Sequence, residues 1–554
     1  MADKKPDFIK LQEQCDRWVA MHAARNTMYH AMERMVQMEW DDEPKDDFIK
    51  ATMSPDPHNA IIGVVRLMTS TEPQISVARG ANDPQAEEQA DKIEKVLAAL
   101  WRKANREQQW PVHYGACYSA ALYSEVCIQV GNSIDNLAWS AAKGEVGERQ
   151  KREAVERPFV YQVHNPTCVY PRYGAAGLHS VLHRYKRRLW EVQAFWGKAA
   201  ADLPGDELDV VTYNDYWDDS HRCVWVNDSD RPILLEKHGL PFIPWVCRVV
   251  MGSGMYAEPD RQRTPMLYPV WKGKWWHRQN LLYSVFYSLA SQMGWPTWQV
   301  ITQDGRDVPI DLNKPGGKVN LRVGESVEPL QKMLIDVAVT QGLSIADAKM
   351  VASTLPRVVF GESPGSTMSY SAMNLLSQGG RLPLVPIEQQ VGRALAEMFE
   401  ITLRWIEHRG EAVEIYSTGE VAKIEPADIN PTRLEVEVKL KADVPQDRLQ
   451  LANLVQLLRQ PGSDGLPLIS RLSAAELLGF MQPGDEWEQV IAEAVEAKLV
   501  NDDLRKGDQP AEQPPSEQAP GSMVPPRTLG MIPPVQFGPQ MAEPMVPGGN
   551  GGEY

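Results

Sequence analysis

The strongest restriction on the fold comes from a segment rich in glycine and proline, residues 296–329, which separates two helix-like blocks. The first block, residues 264–293, carries tryptophan and aliphatic side chains at helical spacing, and about 28 residues would make a rod of about 40 Å. Gly294 and Pro296 then end the helix, because glycine suits the cap and proline cannot continue it. The second block, residues 330–355, is less apolar. We therefore expect two long helices joined by a small module with strands in TWQVIT and KVNLRV.

The part of the chain before these blocks is predicted to be helical first and sheet-rich afterwards. Helical periodicity predicts four helices, at residues 8–40, 59–68, 85–106 and 111–122. Short strands are expected in QISVA and EVCIQVGN. Between residues 157 and 250 the spacing alternates in FVYQVH, SVLHRYKRR, LDVVTYNDYW, RCVWV and FIPWVCRVV, which predicts an antiparallel sheet with one short helix, WEVQAFWGKAA. Asn165 and Pro166 are expected at a tight corner.

The part after the second block begins with a glycine- and serine-rich loop, FGESPGSTMSYSAMNLLSQGG. An amphipathic helix is predicted next, at residues 386–408, and then strands in VEIYS and LEVEVKL. Three short helices are expected after Pro445. Residues 507–554 consist largely of Pro, Gly, Gln and Met, which predicts disorder. Helical and sheet regions occur in separate stretches, so the predicted fold class is α+β.

Composition limits the function as well as the size. The chain has 554 residues, of which 43% are hydrophobic, so two or three domains are expected. Its formal net charge of −16 argues against a simple basic duplex binder, because phosphate affinity comes from lysine and arginine. The N-terminal sequence MADKKPDFIK has no apolar core of the signal-peptide type, which argues against secretion. The uncharged run at residues 279–295 is broken by polar residues and falls short of the roughly 20 apolar residues of a membrane span.

The metal-binding residue types offer no strong site. The six cysteines are scattered, so we expect reduced, mostly buried thiols of a cytosolic protein: Cys15, Cys117, Cys127, Cys168, Cys223 and Cys247. Asp215, Asp218, Asp219 and His221 could be a cluster for a hard metal ion. They lie at the apex between two predicted strands, where Asp and Ser favour turns. We therefore predict a turn there and no bound metal or cofactor.

One motif points to an enzyme. Residues 361–365 match the G-x-S-x-G nucleophile elbow of serine hydrolases, with Ser363 as the nucleophile. The oxyanion hole of that elbow uses the backbone N–H of the next residue, and Pro364 has none. His408 is the only histidine downstream of Ser363, and no aspartate lies between them. A hydrolase is the weaker alternative, and a loop without catalytic function is the prediction.

Tryptophan is the most unusual feature of the composition, with 17 residues, several of them around the first helix-like block. In a helix that packs against neighbours, tryptophan is more often a core or an interface residue than a base-stacking residue, and we favour an interface over base stacking. The candidate interface residues are Trp271, Trp275 and Trp276. Basic residues in the same region are either a solvated face or a contact surface for DNA or another acidic partner: Lys272, Lys274, Arg278, Lys314, Lys318 and Arg322.

Taken in order, these segments resemble the portal proteins of tailed bacteriophages. DPHNAIIGVVRLMTSTEPQISV is similar to the N-terminal helix and strand of many portals, and WPVHYGACYSAALYSEVCIQV to their next helix and strand. VHNPTCVYPRYG resembles the segment where the wing sheet turns, and HGLPFIPWVCRVV the strand that leads to the stem. The best match is the order of stem helix, clip, returning stem helix, loop and long wing helix. The resemblance covers residues 8–503.

The resemblance implies a portal-like α+β fold with eight parts. These are a mixed helix and sheet wing (1–263), a stem helix (264–295), a small α/β clip (296–329), a returning stem helix (330–356), a channel loop (357–385), a long kinked wing helix with sheet (386–442), a short helical, crown-like region (443–506) and the proline-rich tail (507–554). The region after residue 443 is shorter than an extended helical crown or barrel requires.

The resemblance also implies a function. Portals form a ring, usually of twelve subunits, at one capsid vertex, and double-stranded viral DNA passes through the channel during packaging and ejection. The clip would bind the terminase and later the head-to-tail adaptor, and the wing would contact the major capsid and scaffold proteins. The protein would then be a virion component, present in the host cytoplasm during assembly, and it would not be an enzyme. A non-portal adaptor protein of the virion is the other structural alternative.

Within a portal, the glycine- and serine-rich loop would project into the channel. The candidate channel-loop residues are Glu362, Ser363, Gly365, Ser366 and Ser369. A net acidic chain suits such a channel, because strong phosphate binding would stall DNA that must slide.

Overall fold

The computed structural model describes residues 7–45, 49–78, 84–107, 110–134, 136, 148–175, 177–227, 229–294, 298–302, 305, 321–329, 337–354, 382–417, 420–429 and 435–440. All of them belong to one of two units of the chain, the unit formed by residues 1–468. Over these ranges the fold is α+β, with helices packed on small antiparallel sheets. Residues 357–381 of the predicted channel loop, the three C-terminal helices and the tail lie outside the described residues.

The N-terminal part is mainly helical, as predicted. Its elements are α1 (Phe8–Met21), α2 (Ala23–Val36), α3 (Asp56–Met68), β1 (Gln74–Val77), α4 (Pro84–Glu107), α5 (Val112–Tyr123) and β2 (Glu125–Asn132). The prediction of one helix over residues 8–40 is wrong, because the chain breaks at His22 (φ −95°, ψ 4°). The break lets the two helices enter different cores. Leu11 and Cys15 of α1 pack with Trp225 and its neighbours, whereas α2 joins the largest core.

The middle part forms antiparallel sheets, as predicted. Its elements are α6 (Glu148–Glu156), β3 (Phe159–His164), β4 (Val169–Gly174), β5 (Gly177–Arg188), α7 (Leu189–Trp196), β6 (Val210–Asp218), β7 (His221–Val226), β8 (Leu234–Lys237) and β9 (Trp245–Val249). Strands β4 to β8 form a five-stranded meander, and β2 lies between β3 and β9 in a separate three-stranded sheet. The expected corner is present, since the Thr167 N–H donates to Asn165 Oδ1 at 2.9 Å.

The C-terminal part contains helices in the two predicted long blocks and the helix predicted at residues 386–408. Its elements are α8 (Tyr268–Gly273), α9 (Trp275–Gly294), β10 (Trp298–Ile301), β11 (Ser326–Pro329), α10 (Val337–Ser353), α11 (Val385–Arg409), β12 (Val413–Ser417), β13 (Glu420–Ile424) and β14 (Val436–Lys439). The predictions for α11, β12 and β14 are confirmed. Three further antiparallel pairs are β10 with β11, β12 with β13, and β1 with β14.

Two details of this part differ from the prediction. The helix predicted at residues 264–293 is interrupted at Lys274, which has a left-handed φ of 51°. Gly273 leaves room for the Trp275 ring there, because a Cβ at that position would lie 2.3 Å from Trp275 Nε1. The strand predicted in KVNLRV is also displaced. Arg322 and Glu325 form a turn, with the Arg322 N–H donating to Glu325 Oε2 at 2.7 Å, and β11 begins only after it.

The largest core joins the two ends of the described chain. It contains buried residues of α2 to α5, β2, β3, β9 and α11, together with β12 to β14. Helix α11 is the longest described helix, and its side chains from Ile387 to Ile406 supply a large share of this core. Val270 of α8, Trp276 of α9 and Met350 of α10 also belong to this core, so the helix pair is joined to it at one end. Of the helices within the described ranges, none combines the length and the apolarity needed to cross a membrane.

Candidate functional site

The candidate site is the helix pair α9 and α10 with the β10–β11 hairpin between them. The 20 residues of α9 give a length of about 30 Å. Polar contacts join the two helices: Gln279 Nε2 donates to Asp347 Oδ1 at 2.7 Å, and the Tyr283 hydroxyl donates to the same oxygen at 3.1 Å. Burial, reinforced by the Asp347 charge, raises the pKa of Tyr283 to about 12. The tyrosine therefore stays a neutral hydrogen-bond donor at physiological pH.

A second feature of α9 is a row of buried polar side chains that bind an extended segment. This segment, residues 50–54, is called the strap below. Its backbone N–H groups donate to side chains of α9 in three hydrogen bonds: Ser54 to Asn280 Oδ1 (2.9 Å), Thr52 to Ser284 Oγ (2.8 Å) and Lys50 to Ser288 Oγ (2.8 Å). The spacings match, because four helical residues rise about 6 Å and two extended residues about 6.6 Å. The polar residues that interrupt the apolar run of α9 therefore hold the strap.

The three candidate interface tryptophans have different environments. Trp276 is fully buried in the core of the single chain, and its Nε1 donates to the Ser54 carbonyl oxygen at 2.9 Å. It has no surface left for a neighbouring subunit, so its predicted interface role is corrected to a core role. Trp271 and Trp275 are partly buried and pack against the edge of the same core. They keep exposed surface and remain candidates for an interface.

Four of the six candidate DNA and partner contacts lie within the described residues: Lys272, Lys274, Arg278 and Arg322. Lys272, Lys274 and Arg278 are exposed around the start of α9. Lys272 Nζ lies 5.8 Å from the centroid of the Trp271 ring, and Arg278 Cζ lies 4.9 Å from that of Trp275. These are cation–π contacts, which hold two of the cations over the aromatic surface.

The other candidate cations lie elsewhere. Arg322 precedes β11, and β11 pairs with β10, which follows the opposite end of α9. Along the chain, the rest of α9 from Arg278 to Gly294 separates it from the first group. Lys314 and Lys318 lie outside the described residues, as do the channel-loop residues Glu362, Ser363, Gly365, Ser366 and Ser369.

A buried ion network anchors the segment that leads into the helix pair. Glu125, at the start of β2, accepts two hydrogen bonds from Arg263, at 2.8 Å from Nε and 2.9 Å from Nη2. Arg25 Nη1 lies 3.4 Å from the same carboxylate, and the Tyr29 hydroxyl donates to it at 3.1 Å. All four side chains are buried. The network joins α2, β2 and the chain just before α8.

The two arginines set the charge of this network. Burial alone would raise the pKa of Glu125, but the charges of Arg263 and Arg25 and their hydrogen bonds hold it below its ordinary value. Burial, with the charge of Glu125, raises the pKa of Tyr29 well above its ordinary value. Arg25 Nη2 also donates to the carbonyl oxygens of Pro166 and Val169. The carboxylate is therefore ionised and fully paired at neutral pH.

Sequence patterns did not reveal this network. Its members lie 100 and 138 positions apart, and no spacing rule links them. The one local signal is a charged residue, Glu125, directly before the apolar residues of a strand that is buried on both faces.

The candidate metal cluster lies at the β6–β7 turn, as predicted, except for Asp215, which lies inside β6 opposite Val224. Asp218 Oδ1 accepts hydrogen bonds from the N–H groups of Ser220 at 2.8 Å and His221 at 2.6 Å. Asp215 is paired with Arg222 through both carboxylate oxygens, at 3.1 and 2.8 Å. Within the part of the chain that the structure describes, no group of three or more His, Cys, Asp or Glu side chains could hold a metal ion. All six cysteines are free, five of them buried and Cys168 partly buried.

Comparison with known proteins gives structural neighbours only. No protein-family model matches the chain, and no curated protein matches it. A chain from the virion of a native gene transfer agent particle is 13% identical, with a TM-score of 0.41, over 82% of this chain and 93% of that chain.

Two neck structures of the gene transfer agent particle are similar as well. A chain from the native neck, computed with C12 symmetry, is 12% identical with a TM-score of 0.41, over 82% of this chain and 93% of that chain. A chain from the empty particle's neck, computed with C6 symmetry, is 13% identical with a TM-score of 0.39, over 77% and 90% of the two chains. At these TM-scores we draw no conclusion from the resemblance.

Proposed function

We propose that this chain is a portal-type protein of a tailed-phage-like particle. In this proposal its copies form a ring, with twelve subunits as the expected number, at one vertex of the capsid. Double-stranded DNA passes through the ring during packaging and ejection. The β10–β11 module binds the terminase and later a head-to-tail adaptor, and the mixed helix and sheet part contacts the major capsid and scaffold proteins.

The observation that carries the proposal is the path of the chain around the helix pair. After β9 the chain runs along α9, pairs β10 with β11, and returns along α10 to α11. This is the order of wing, stem, clip, stem and wing that the sequence predicts. The start of α9 and the end of α10 share the main core through Trp276 and Met350, whereas the β10–β11 pair contributes no residue to it. This arrangement supports a subunit whose helix pair carries a small docking module away from the core.

The charge of the chain supports a channel through which DNA slides, and it argues against a surface that binds DNA tightly. The net charge of −16 opposes tight binding of a polyanion, and exposed cations at the start of α9 are few. Two of these three cations lie over tryptophan rings, Lys272 over Trp271 and Arg278 over Trp275. Weak contacts of this kind permit sliding, because no run of phosphate contacts must be broken at each step.

The first test is the oligomeric state of the purified full-length chain. Electron microscopy and mass photometry should detect a closed ring with an axial hole. Monomers or dimers at every concentration, even with capsid and scaffold proteins present, would contradict the proposal.

A second test separates a portal from another adaptor protein of the virion. Deletion of residues 357–380 should impair DNA packaging or retention if that segment lines a channel. An adaptor without a channel would tolerate the deletion and package normally.

We also propose that the chain is not an enzyme. A fluorophosphonate probe should leave Ser363 unlabelled, with a known serine hydrolase as the positive control. Specific labelling that a Ser363→Ala variant abolishes would instead support a hydrolase.

A further inference from the structure

Two buried cysteines face each other across strands β2 and β9. Cys127 of β2 lies directly opposite Cys247 of β9 in the antiparallel register. Residues that lie directly opposite in such a pair point to the same face of the sheet, so both thiols are on one face. Cys127 is fully buried, and Cys247 is 7% exposed. The two residues are far apart in the sequence, so their spacing does not reveal the pair, which is called the β2–β9 cysteine pair below.

The backbone hydrogen bonds show which kind of cross-strand pair this is. Two bonds mark the pattern between the strands, from Val250 N–H to the Ser124 carbonyl oxygen (2.8 Å) and from Val130 N–H to the Pro244 carbonyl oxygen (2.9 Å). Hydrogen-bonded positions alternate along an antiparallel ladder, so the even-numbered residues of β2 bond to β9. On the other side of β2, the Ser133 N–H donates to the Pro158 carbonyl oxygen, so the odd-numbered residues bond towards β3. Cys127 and Cys247 are therefore a non-hydrogen-bonded pair.

This geometry fits a disulfide bond. A non-hydrogen-bonded pair places the two Cα atoms about 4.5 Å apart. Disulfides span Cα separations of about 4.4–6.8 Å, so the bond can form with little movement of either strand. A hydrogen bond with the Cys247 thiol, together with burial, raises the pKa of Cys127 well above its ordinary value. Cys127 is therefore a neutral, unreactive thiol in the closed fold, although it is well placed for the bond.

The outer edge of β9 gives access to the pair. In the order β3-β2-β9, β9 is the outer strand of its sheet within the part of the chain that the structure describes. The backbone groups of Cys247 point away from β2, and its carbonyl oxygen accepts a hydrogen bond from the hydroxyl of Tyr173, which is 49% exposed. Local opening of an outer strand costs less free energy than unfolding of the whole core. A small oxidant can therefore reach the thiols when this edge opens.

We propose that Cys127 and Cys247 are a redox site that closes to a disulfide when the chain meets a low-molecular-weight disulfide such as oxidised glutathione. When the β9 edge opens, the thiolate of one cysteine attacks the small disulfide, a mixed disulfide forms, and one small thiolate leaves. The thiolate of the other cysteine then attacks the protein sulfur of the mixed disulfide, and the second small thiolate leaves. The two leaving thiolates take up the two protons that the cysteines lose, and two electrons pass from the cysteine sulfurs to the small disulfide.

The disulfide restricts the unfolded chain and joins two strands of the fold. It closes a loop of about 120 residues, which contains β3 and the whole five-stranded meander. The pair stays reduced in a reducing cytosol and becomes a disulfide in oxidising surroundings outside a cell. The inference concerns one copy of the chain and does not depend on the proposed ring.

Peptide mapping of the full-length chain tests the site. The folded protein is incubated with oxidised glutathione, the remaining thiols are blocked after denaturation, and the digest is analysed by mass spectrometry. We expect the main disulfide to join the peptides of Cys127 and Cys247 within hours, and to disappear on reduction. Recovery of both residues as blocked free thiols, glutathione retained on either one without the cross-link, or a main disulfide between other cysteines would overturn the inference.

Two single variants show whether the cross-link depends on this pair. Cys247→Ala should abolish it and leave Cys127 without a disulfide partner. Cys168→Ala is the matched control, because Cys168 is the one cysteine of the six that is not buried. The cross-link should form as before in this variant. Its loss there would contradict a direct reaction of the β2–β9 cysteine pair.

Thermal unfolding gives an independent readout of the bond. The midpoint of the oxidised chain should lie about 3–6 °C above that of the reduced chain, because the closed loop lowers the entropy of the unfolded state. The difference should vanish in Cys247→Ala. Equal midpoints in spite of a complete cross-link would contradict the fit of the pair, because a strained disulfide loses this gain.

The rate of oxidation tests the route of access. Tyr173→Phe removes the hydrogen bond at the outer edge of β9, so the cross-link should form about 2- to 10-fold faster than in the parent chain. An unchanged or slower rate would contradict opening at this edge.

Discussion

Glu125 is a fully buried carboxylate shared by two arginines and a tyrosine, and it joins three distant parts of the chain. A charge in this position is costly unless it is paired, because the interior solvates ions poorly. Arg263 supplies the bidentate pairing, and Arg25 links the carboxylate to the corner that Asn165 begins. The network therefore fixes where the chain enters the helix pair.

We predict that Glu125→Gln lowers the free energy of unfolding by about 3–5 kcal/mol, because it leaves two buried arginines without their counter-charge. Chemical denaturation followed by tryptophan fluorescence measures this. Asp202→Asn is the matched control: the Asp202–Arg231 pair is exposed, and its loss should cost less than about 1 kcal/mol. Equal effects of the two substitutions would mean that the buried network does not hold the fold.

Acidification should destabilise the protein between pH 6.5 and pH 4. Burial lowers the pKa of His22 and His113 from 6.5 to about 4, and it lowers the pKa of His183 to about 3. Burial, together with repulsion from a charged His183, holds the pKa of His164 well below 6.5. These histidines are neutral in the folded chain. Their contribution to the free energy of unfolding is therefore fully present above pH 6.5, and it is lost below that pH because the unfolded chain takes up protons. At pH 5 each of His22 and His113 should cost about 2 kcal/mol.

The measurement is the free energy of unfolding at several pH values. His113→Phe should reduce the slope between pH 6.5 and 5, and stability that is flat over this range would contradict the prediction. Glu125 acts at lower pH. Its pKa is depressed, so its contribution is present above its ordinary value of 4.5 and is lost only as the pH falls towards its folded value.

Helix α9 has polar residues on a buried face. These residues determine which segment packs against the helix. Asn280, Ser284 and Ser288 recur every four positions and meet alternate backbone N–H groups of the strap. Without the strap, Asn280 Oδ1 and Ser288 Oγ would lose the hydrogen bonds that they accept, whereas Ser284 Oγ would keep its bond to the Asn280 carbonyl oxygen at 2.7 Å. The strap and α9 are therefore a matched pair, although more than 220 positions separate them.

We predict that Ser284→Ala loosens the strap, because the Thr52 N–H loses its acceptor and a bond worth about 1–2 kcal/mol is removed. Trypsin cleaves after Lys50, which lies in the strap, so cleavage there should accelerate about 5- to 30-fold. Ser291→Ala changes an exposed serine of the same helix and serves as the control. Equal cleavage rates for the two variants would show that the strap is held by other contacts.

In the described unit, early and late segments of the chain pack into one core, and the helix pair lies between them in the sequence. Helix α11 packs with α5, β2 and β9, and β14 pairs with β1 from the start of the chain. The helix pair is joined to this core at one end, where Trp276 of α9 and Met350 of α10 are buried in it. Trp276 belongs to that core, whereas Trp275 lies at its edge with exposed surface.

We predict that substitution of Trp276 affects folding of the protomer, whereas substitution of Trp275 affects assembly. Trp276→Ala should lower protomer stability by about 3–5 kcal/mol, because it leaves a cavity in the core. Trp275→Ala should weaken the oligomer more than the protomer, as judged by mass photometry and by unfolding curves on the same samples. A ring of unchanged stability in Trp275→Ala would place Trp275 outside the interface.

Local patterns were sufficient to predict the type of most elements and the order of the helix pair and its hairpin. Helix α11 and strand β14 follow from periodicity, because the burial of one face repeats at 3.6 or 2 residues. The break at His22 and the turn at Lys274 escaped prediction. The break at His22 lets α1 pack in a separate core with distant residues. The turn at Lys274 accommodates the Trp275 ring, which lies over Gly273.

The sequence alone determined the α+β class, the helix pair and the acidic character of the chain, since these depend on composition and on spacing between near neighbours. Only the tertiary structure decided that Trp276 is a core residue, that Glu125 pairs with Arg263, and that a strap covers α9. Contacts of this kind join residues 100 or more positions apart. They exist only when the whole core has formed, because no local preference brings such residues together.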